Sequence, residues 1–205
     1  MVVLAHPTTG SLCHRLATRV METLSPAGAE ATLHDLYVEG FDPVLLPDEA
    51  WQENLSDSDL LTDRPDPVGS GTAAGDPMVA RHRRELERSR GLVVVHPDWW
   101  GKPPAILTGW LDRVLVPTSA AARRPDGTAG GGPRRVLVVN TSDDSPDPDR
   151  DPLGLVWRQG VGARLATDQL ERMALTGVAQ ASAEQQDRWL SAVERAALWV
   201  CGGSR

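Results

Sequence analysis

The feature that most constrains this chain is the run Gly91-Leu-Val-Val-Val95, apolar and β-branched, with a glycine in front and His96-Pro97 behind. The run is too short for a buried helix, and a strand is the element it suits. Its apolar side chains point to both faces, so both faces must be covered. That is the condition of a parallel sheet between two helical layers. Shorter runs of the same kind stand at Met1 to Ala5, Ala31 to Leu36 and Val136 to Asn140. Between them the period changes. Leu12, Leu16, Val20 and Leu24 recur every four residues, with Ser11 placed to cap the helix and Pro26 and Gly28 to end it. Further helices are predicted from Pro77 through Ser89, from Pro103 or Pro104 to about Val116, over Leu153 to Arg164 and over Ala183 to Val200.

Strands that alternate with helices imply an α/β fold: a doubly wound parallel sheet with helices on both faces and right-handed crossovers. No linker divides the chain, so residues 1–205 are expected to form one domain. Ligands of such sheets lie at the carboxyl ends of the strands. This directs attention to the loops 6–11, 96–103 and 141–152.

Composition removes several function classes. A formal net charge of -7 over 205 residues argues against nucleic acid, whose phosphates need a concentrated basic surface. No apolar run reaches membrane-spanning length, so no membrane insertion is expected. Cys13 and Cys201 stand far apart, without zinc-ligand or disulfide spacing, and the start lacks the pattern of a signal peptide. A reduced, cytoplasmic setting is the expectation. The dinucleotide fingerprint, the P-loop and the GxSxG motif are all absent. His14, His34 and His82 read as surface or packing residues. Arg81 to Arg84 and Arg88 to Arg90, interleaved with Glu85 and Glu87, read as a solvated helix face.

Two loops carry chemistry. His6-Pro7-Thr8-Thr9-Gly10-Ser11 joins the first strand to the first helix, where free N–H groups, the helix dipole and three hydroxyls suit an anion. Pro97-Asp98-Trp99-Trp100-Gly101 follows the central strand, and its two indoles can wall a flat aromatic ligand.

On these and further stretches the chain resembles the NAD(P)H dehydrogenase (quinone) family of flavodoxin-like proteins. The likeness is carried by Val3-Leu-Ala-His-Pro7 with Gly10-Ser11, Asp35-Leu-Tyr37, Gly40-Phe-Asp-Pro43 and Val93-Val-Val-His-Pro97. Its longest stretch is Trp99-Trp-Gly-Lys-Pro-Pro-Ala-Ile-Leu107, with Gly109-Trp110 and Asp112-Arg113-Val114. Asn140-Thr-Ser142, Asp151-Pro-Leu153 with Trp157, and Gln185 to Leu190 follow in family order.

The resemblance implies a flavin, FMN or FAD, reduced by NADH or NADPH and reoxidised by a quinone-like acceptor. It implies His6, Ser11, Leu12 and Cys13 at the flavin phosphate. Pro97, Asp98, Trp99, Trp100 and Gly101 would flank the ring, with Asn140, Thr141 and Ser142 near its other edge. It also implies a homodimer. Three departures stand out: Leu12-Cys13 in place of Phe-Asn, Thr118-Ser-Ala-Ala121 where a tyrosine is usual, and Gly162 to Ala166 in place of an apolar strand. The second predicts a wider mouth that favours multi-ring quinones. Two other readings fit the same chain: a non-catalytic interaction or regulatory subunit with an eroded flavin pocket, and an accessory enzyme of aromatic polyketide tailoring.

Overall fold

The computed structural model describes residues 1–46, 76–115, 132–144 and 151–202. Five strands form one sheet: β1 (Val2–Leu4), β2 (Leu33–Asp35), β3 (Gly91–Pro97), β4 (Arg135–Ser142) and β5 (Leu170–Thr176). Their order is β2-β1-β3-β4-β5, and every neighbouring pair is parallel. The helices are α1 (Leu12–Leu24), α2 (Pro77–Arg88), α3 (Ala105–Val114) and α6 (Ala183–Val200). A composite stretch lies before β5: α4 (Pro152–Leu155), a π-helical segment (Val156–Val161) and α5 (Gly162–Arg164).

The run at 91–95 is the central strand, as its composition requires. Val94, Leu92, Val136 and Val138 pack on one face with Val79 and Leu86 of α2 and Leu107, Trp110 and Val114 of α3. Val93, Val95, Leu137 and Val139 pack on the other with Leu16, Val20 and Leu24 of α1 and Leu190, Val193 and Ala197 of α6. Each such side chain contributes roughly 1.5–3 kcal/mol through burial, so the two-faced strand holds both layers together. The expected doubly wound sheet is what the chain forms. No helix among the described residues is long and apolar enough to cross a membrane.

Two expectations are overturned. Gly162–Arg164 is helical, as the predicted helix over Leu153 to Arg164 requires, and it does not take the place of the apolar strand. The last strand lies further on, at Leu170–Thr176, in register with Val136 to Ser142. Nor is the arginine-rich stretch of α2 wholly a solvated face. His82 is completely buried, its Nδ1 accepts from the Trp110 indole N–H at 2.9 Å, and Arg83 donates to the Arg113 carbonyl. His34 is buried beside it, with ring centroids 4.0 Å apart. The period of α2 aims His82 inward with Val79 and Leu86, whatever charges flank it.

Candidate functional site

The carboxyl ends of β1, β3 and β4 meet at one hydrogen-bonded hub, Thr141. Its carbonyl accepts from the Asp98 N–H at 2.7 Å, which ties the loop after β3 to the end of β4. Its Oγ1 lies 3.3 Å from the Cys13 sulfur, which ties the start of α1 to the same point. Residues 13, 98 and 141, far apart in sequence, are thereby adjacent. Cys13 is buried at this contact. Burial pushes its thiol up to about 11, and the Thr141 hydroxyl offsets only part of that. Cys13 therefore offers a ligand its main-chain N–H, not a thiolate.

The loop after β3 is a tight turn. The Trp99 N–H donates to the Lys102 carbonyl at 3.1 Å, and the two residues between have φ of 61° (Trp100) and 73° (Gly101). A turn with both central residues left-handed suits Gly and Asn; an indole-bearing residue there is strained. Asp98 fixes the turn by accepting the Gly101 N–H at 2.8 Å. Burial raises the Asp98 carboxyl, and that hydrogen bond works against the shift. Trp100 is 94% exposed, Trp99 41%. The Trp100 N–H has no partner among the described residues. A strained, fully exposed tryptophan on a fixed turn suits a flat ligand, not the core.

Across the crevice, Ser11 caps α1. Its Oγ accepts from the His14 N–H at 3.4 Å and stands 2.9 Å from His14 Nδ1. His14 Nε2 stands 3.0 Å from Asp35 Oδ2, at the end of β2. The helix geometry leaves the N–H groups of Leu12 and Cys13 open, and no acidic residue enters the first turn. His6 accepts the Thr8 N–H on Nδ1 at 3.0 Å. Burial lowers its pKa, and the Thr8 carbonyl opposes this. Serine, histidine and aspartate thus form a line that the sequence reading left unassigned. Ser11 and His14 stand three apart, the spacing of a capping box; the link to Asp35 has no local signal.

Behind the turn lies a buried polar cluster. His96 and Asn140 are neighbours across β3 and β4. Asn140 Oδ1 accepts from Arg172 Nε at 2.7 Å, and Arg172 Nη1 pairs with Asp151, whose Oδ1 accepts the Gly154 N–H. Burial works to raise the Asp151 carboxyl, but the Gly154 N–H and Arg172 outweigh it and hold the group below its usual value. His96 donates from Nδ1 to the Pro97 carbonyl and is held down to about 4, chiefly by burial. His96 Nε2, Asn140 Nδ2, Trp157 Nε1 and Arg172 Nη2 are buried without hydrogen-bond partners among the described residues. Asn140 therefore presents its side chain to this cluster. Ser142 accepts the Asp144 N–H at 3.1 Å and stays half-buried at the rim. Pro97 is buried as the last residue of β3.

His6, Ser11, Leu12, Cys13, Asp98, Trp99, Trp100, Gly101 and Thr141 are thus gathered at one end of the sheet. Thr118 to Ala121 lie outside the described residues. A cavity of about 570 Å³, lined in part by Met1, Glu85, Gly91 and Val200, lies at the opposite, amino end of the strands.

Residues 1–194 match the model of the family described as Flavodoxin-like fold. The rat protein NAD(P)H dehydrogenase [quinone] 1 is 28% identical over 120 residues, 57% of this chain and 42% of that protein. The chain thus spans under half the length of that relative. An NAD(P)H:quinone oxidoreductase from Methanothermobacter marburgensis superposes with a TM-score of 0.66 at 21% identity, over 96% of this chain and 92% of that one. An FMN-dependent NADH-azoreductase from Bacillus anthracis, solved in complex with FMN, superposes with a TM-score of 0.64 at 14% identity, over 97% and 98%.

Proposed function

This chain belongs to the flavodoxin-like fold family, and from that premise we propose that it is a flavin-dependent NAD(P)H oxidoreductase of the quinone-reductase type. The observation that carries the reading is Trp100: an exposed indole held at φ 61° on a turn anchored by Asp98, at the strand end that Thr141 ties to the start of α1. The names of the rat and archaeal relatives point to the same chemistry. FMN is the flavin we assign, because the structural relative from Bacillus anthracis carries it.

The donor set fits a flavin monophosphate. Ser11, Thr8 and Thr9 offer hydroxyls, and Leu12 and Cys13 offer N–H groups, at the end of a helix whose dipole favours an anion. Trp99 and Trp100 supply aromatic area, and the unpartnered Trp100 N–H supplies a donor toward a ring edge. A bound flavin would supply hydride acceptance from a nicotinamide and two-electron delivery to a quinone-like acceptor, chemistry that belongs to the cofactor. The protein's part is orientation. Thr141 locks both walls to one strand end, so their spacing is set before any ligand arrives, and placement of this kind contributes strongly to rate.

Trp100, Leu155 and Val156 are exposed, and α4 reaches the tryptophan turn through Pro152 against Gly101. We assign the covering surface to a second copy of the chain, because a two-fold pair closes such an apolar face. Two free thiols suit a cytoplasmic home.

Reconstitution tests the function. Incubated with FMN and desalted, the protein retains flavin absorbance and binds with a Kd below roughly 10 μM, about -7 kcal/mol. It then oxidises NADH or NADPH when a quinone is present. No binding at that level sinks the enzyme reading. Light scattering at micromolar concentration tests the dimer, and a species of 22.1 kDa counts against it.

A further inference from the structure

The start of α1 has an unusual proton arrangement, and its consequence rests on the flavin reading above. Asp35 Oδ2, 3.0 Å from His14 Nε2, accepts a proton held on that nitrogen. The state of His14 Nδ1, 2.9 Å from Ser11 Oγ, then decides what Ser11 can do. With His14 neutral, Nδ1 carries a lone pair and Ser11 must donate its only proton to it. Ser11 then has no proton for an anion. With His14 protonated, Nδ1 donates to Ser11 Oγ, which also accepts the His14 N–H, and the Ser11 proton is free to turn outward.

The same proton brings charge. The loop from His6 to His14 contains no lysine or arginine. Arg15, the next residue, directs its guanidinium to Gln186 on α6. His6 is a poor substitute: its Nδ1 already accepts the Thr8 N–H, and burial disfavours its charged form. The groups that face His14 are Asp35 from β2, His6 from the loop after β1, and Ser11 on its own turn. The Cys13 thiol beside it stays protonated through the working range.

We propose that His14 is the positioning residue for the flavin phosphate, taking up a proton as the phosphate binds and thereby releasing the Ser11 hydroxyl to donate to it. Asp35 holds the imidazole in the orientation that makes this exchange possible. Flavin binding is then linked to one proton, and only for flavins that carry a phosphate.

The test compares FMN with riboflavin by fluorescence titration of the whole protein from pH 7 to pH 9, where the FMN phosphate is already largely a dianion. Wild-type affinity for FMN falls roughly tenfold or more across this range, while riboflavin affinity changes less than about twofold. Calorimetry in two buffers of different ionisation enthalpy reads proton uptake on FMN binding, a fraction of a proton per site equal to the slope of the logarithm of affinity against pH. His14→Gln keeps a donor for Asp35 and an acceptor for Ser11 but cannot be charged. It flattens the pH series and abolishes the proton uptake, and it leaves riboflavin binding unchanged. Asp35→Asn weakens FMN but not riboflavin. FMN affinity without pH dependence, or proton uptake that persists in His14→Gln, overturns the role of His14 and leaves the flavin site standing. Failure of both flavins to bind wild-type protein overturns the flavin reading itself, and this inference with it.

Discussion

Trp100 shows at a single residue how this chain departs from what local stability prefers. Its φ of 61° is a conformation that glycine adopts without strain and other residues enter at a cost of about 1 kcal/mol or more. The indole recovers nothing by burial, because it is 94% exposed. Trp100→Gly therefore stabilises the ligand-free protein, by up to about 1 kcal/mol, offset in part by the greater freedom of glycine in the unfolded chain. The same change weakens FMN roughly tenfold or more by removing an aromatic wall. Trp189→Ala, on α6, leaves FMN affinity within about twofold. Urea midpoints and flavin titrations give both numbers, and a Trp100→Gly protein that binds FMN as tightly as wild type would remove the indole from the site. The sequence made the Trp99-Trp100-Gly101 turn legible, because a glycine beside bulky residues at a strand end marks a forced backbone. It could not show that Trp100, rather than Gly101 alone, carries a positive φ. Nor could it show that His14 reaches Asp35, since that contact depends on the pairing of β1 with β2.

At the scale of elements, β5 was the strand that composition concealed. Leu170-Glu-Arg-Met-Ala-Leu-Thr176 lacks the β-branched run that marks β3 and β4, and it carries an acid and a base. Its reason for being a strand is tertiary. It pairs with β4 along its length and delivers Arg172 to Asn140 and Asp151. The start of α4 is shaped to the same ion pair. A Cβ on Gly154 would stand 2.2 Å from Asp151 Oδ2 and 2.8 Å from Arg172 Nη1, so only glycine admits the contact. Pro152, one residue past Asp151, lies against Gly101, where a Cβ would be 2.6 Å from the proline Cγ. β5 thus braces the tryptophan turn through α4. Asp151→Asn leaves the Arg172 guanidinium, 7% exposed, without its carboxylate. The expected loss is about 2–3 kcal/mol, below the ~3–5 kcal/mol of a fully buried pair because Asp151 itself is 21% exposed. Gly154→Ala should cost a comparable amount. The two changes act on one contact, so the double variant should lose less than the total of the singles. Additive losses in urea unfolding would show that the glycine and the ion pair are independent.

For the whole molecule, two of the buried histidines, His82 and His96, set how folding depends on pH. Both are held down from 6.5 to about 4, first by burial; His34 adds to the effect at His82, and Arg172 adds to it at His96 while the Pro97 carbonyl opposes. Each sits in a different layer contact. His82 accepts the Trp110 N–H beneath α3, and His96 packs against Trp157 with ring centroids 5.4 Å apart. The alternation of short apolar runs and helices made the sheet and its two layers readable. These histidines were not: the charges around His82 masked the helical period it shares with Val79 and Leu86, and nothing local marks His96 as buried. Between pH 6.5 and about 4 the unfolded chain binds protons that the folded chain refuses, so stability rises with pH through this window and is fully present above it. For His96 the full effect is on the order of 3 kcal/mol. Asp98, whose carboxyl is raised, acts in the opposite sense at the acid end of the range, so the clean interval is pH 7 to 5. Across it the midpoint of thermal unfolding should fall steadily. His96→Gln should be less stable than wild type at pH 7 yet lose less on acidification, since its side chain has no proton to gain. His82→Gln should behave alike, with a larger penalty at neutral pH because an amide meets the Trp110 indole N–H less well than the imidazole nitrogen does. A wild-type midpoint that stays flat from pH 7 to 5, or variants as acid-sensitive as wild type, would show that these rings are not the groups that couple protons to folding.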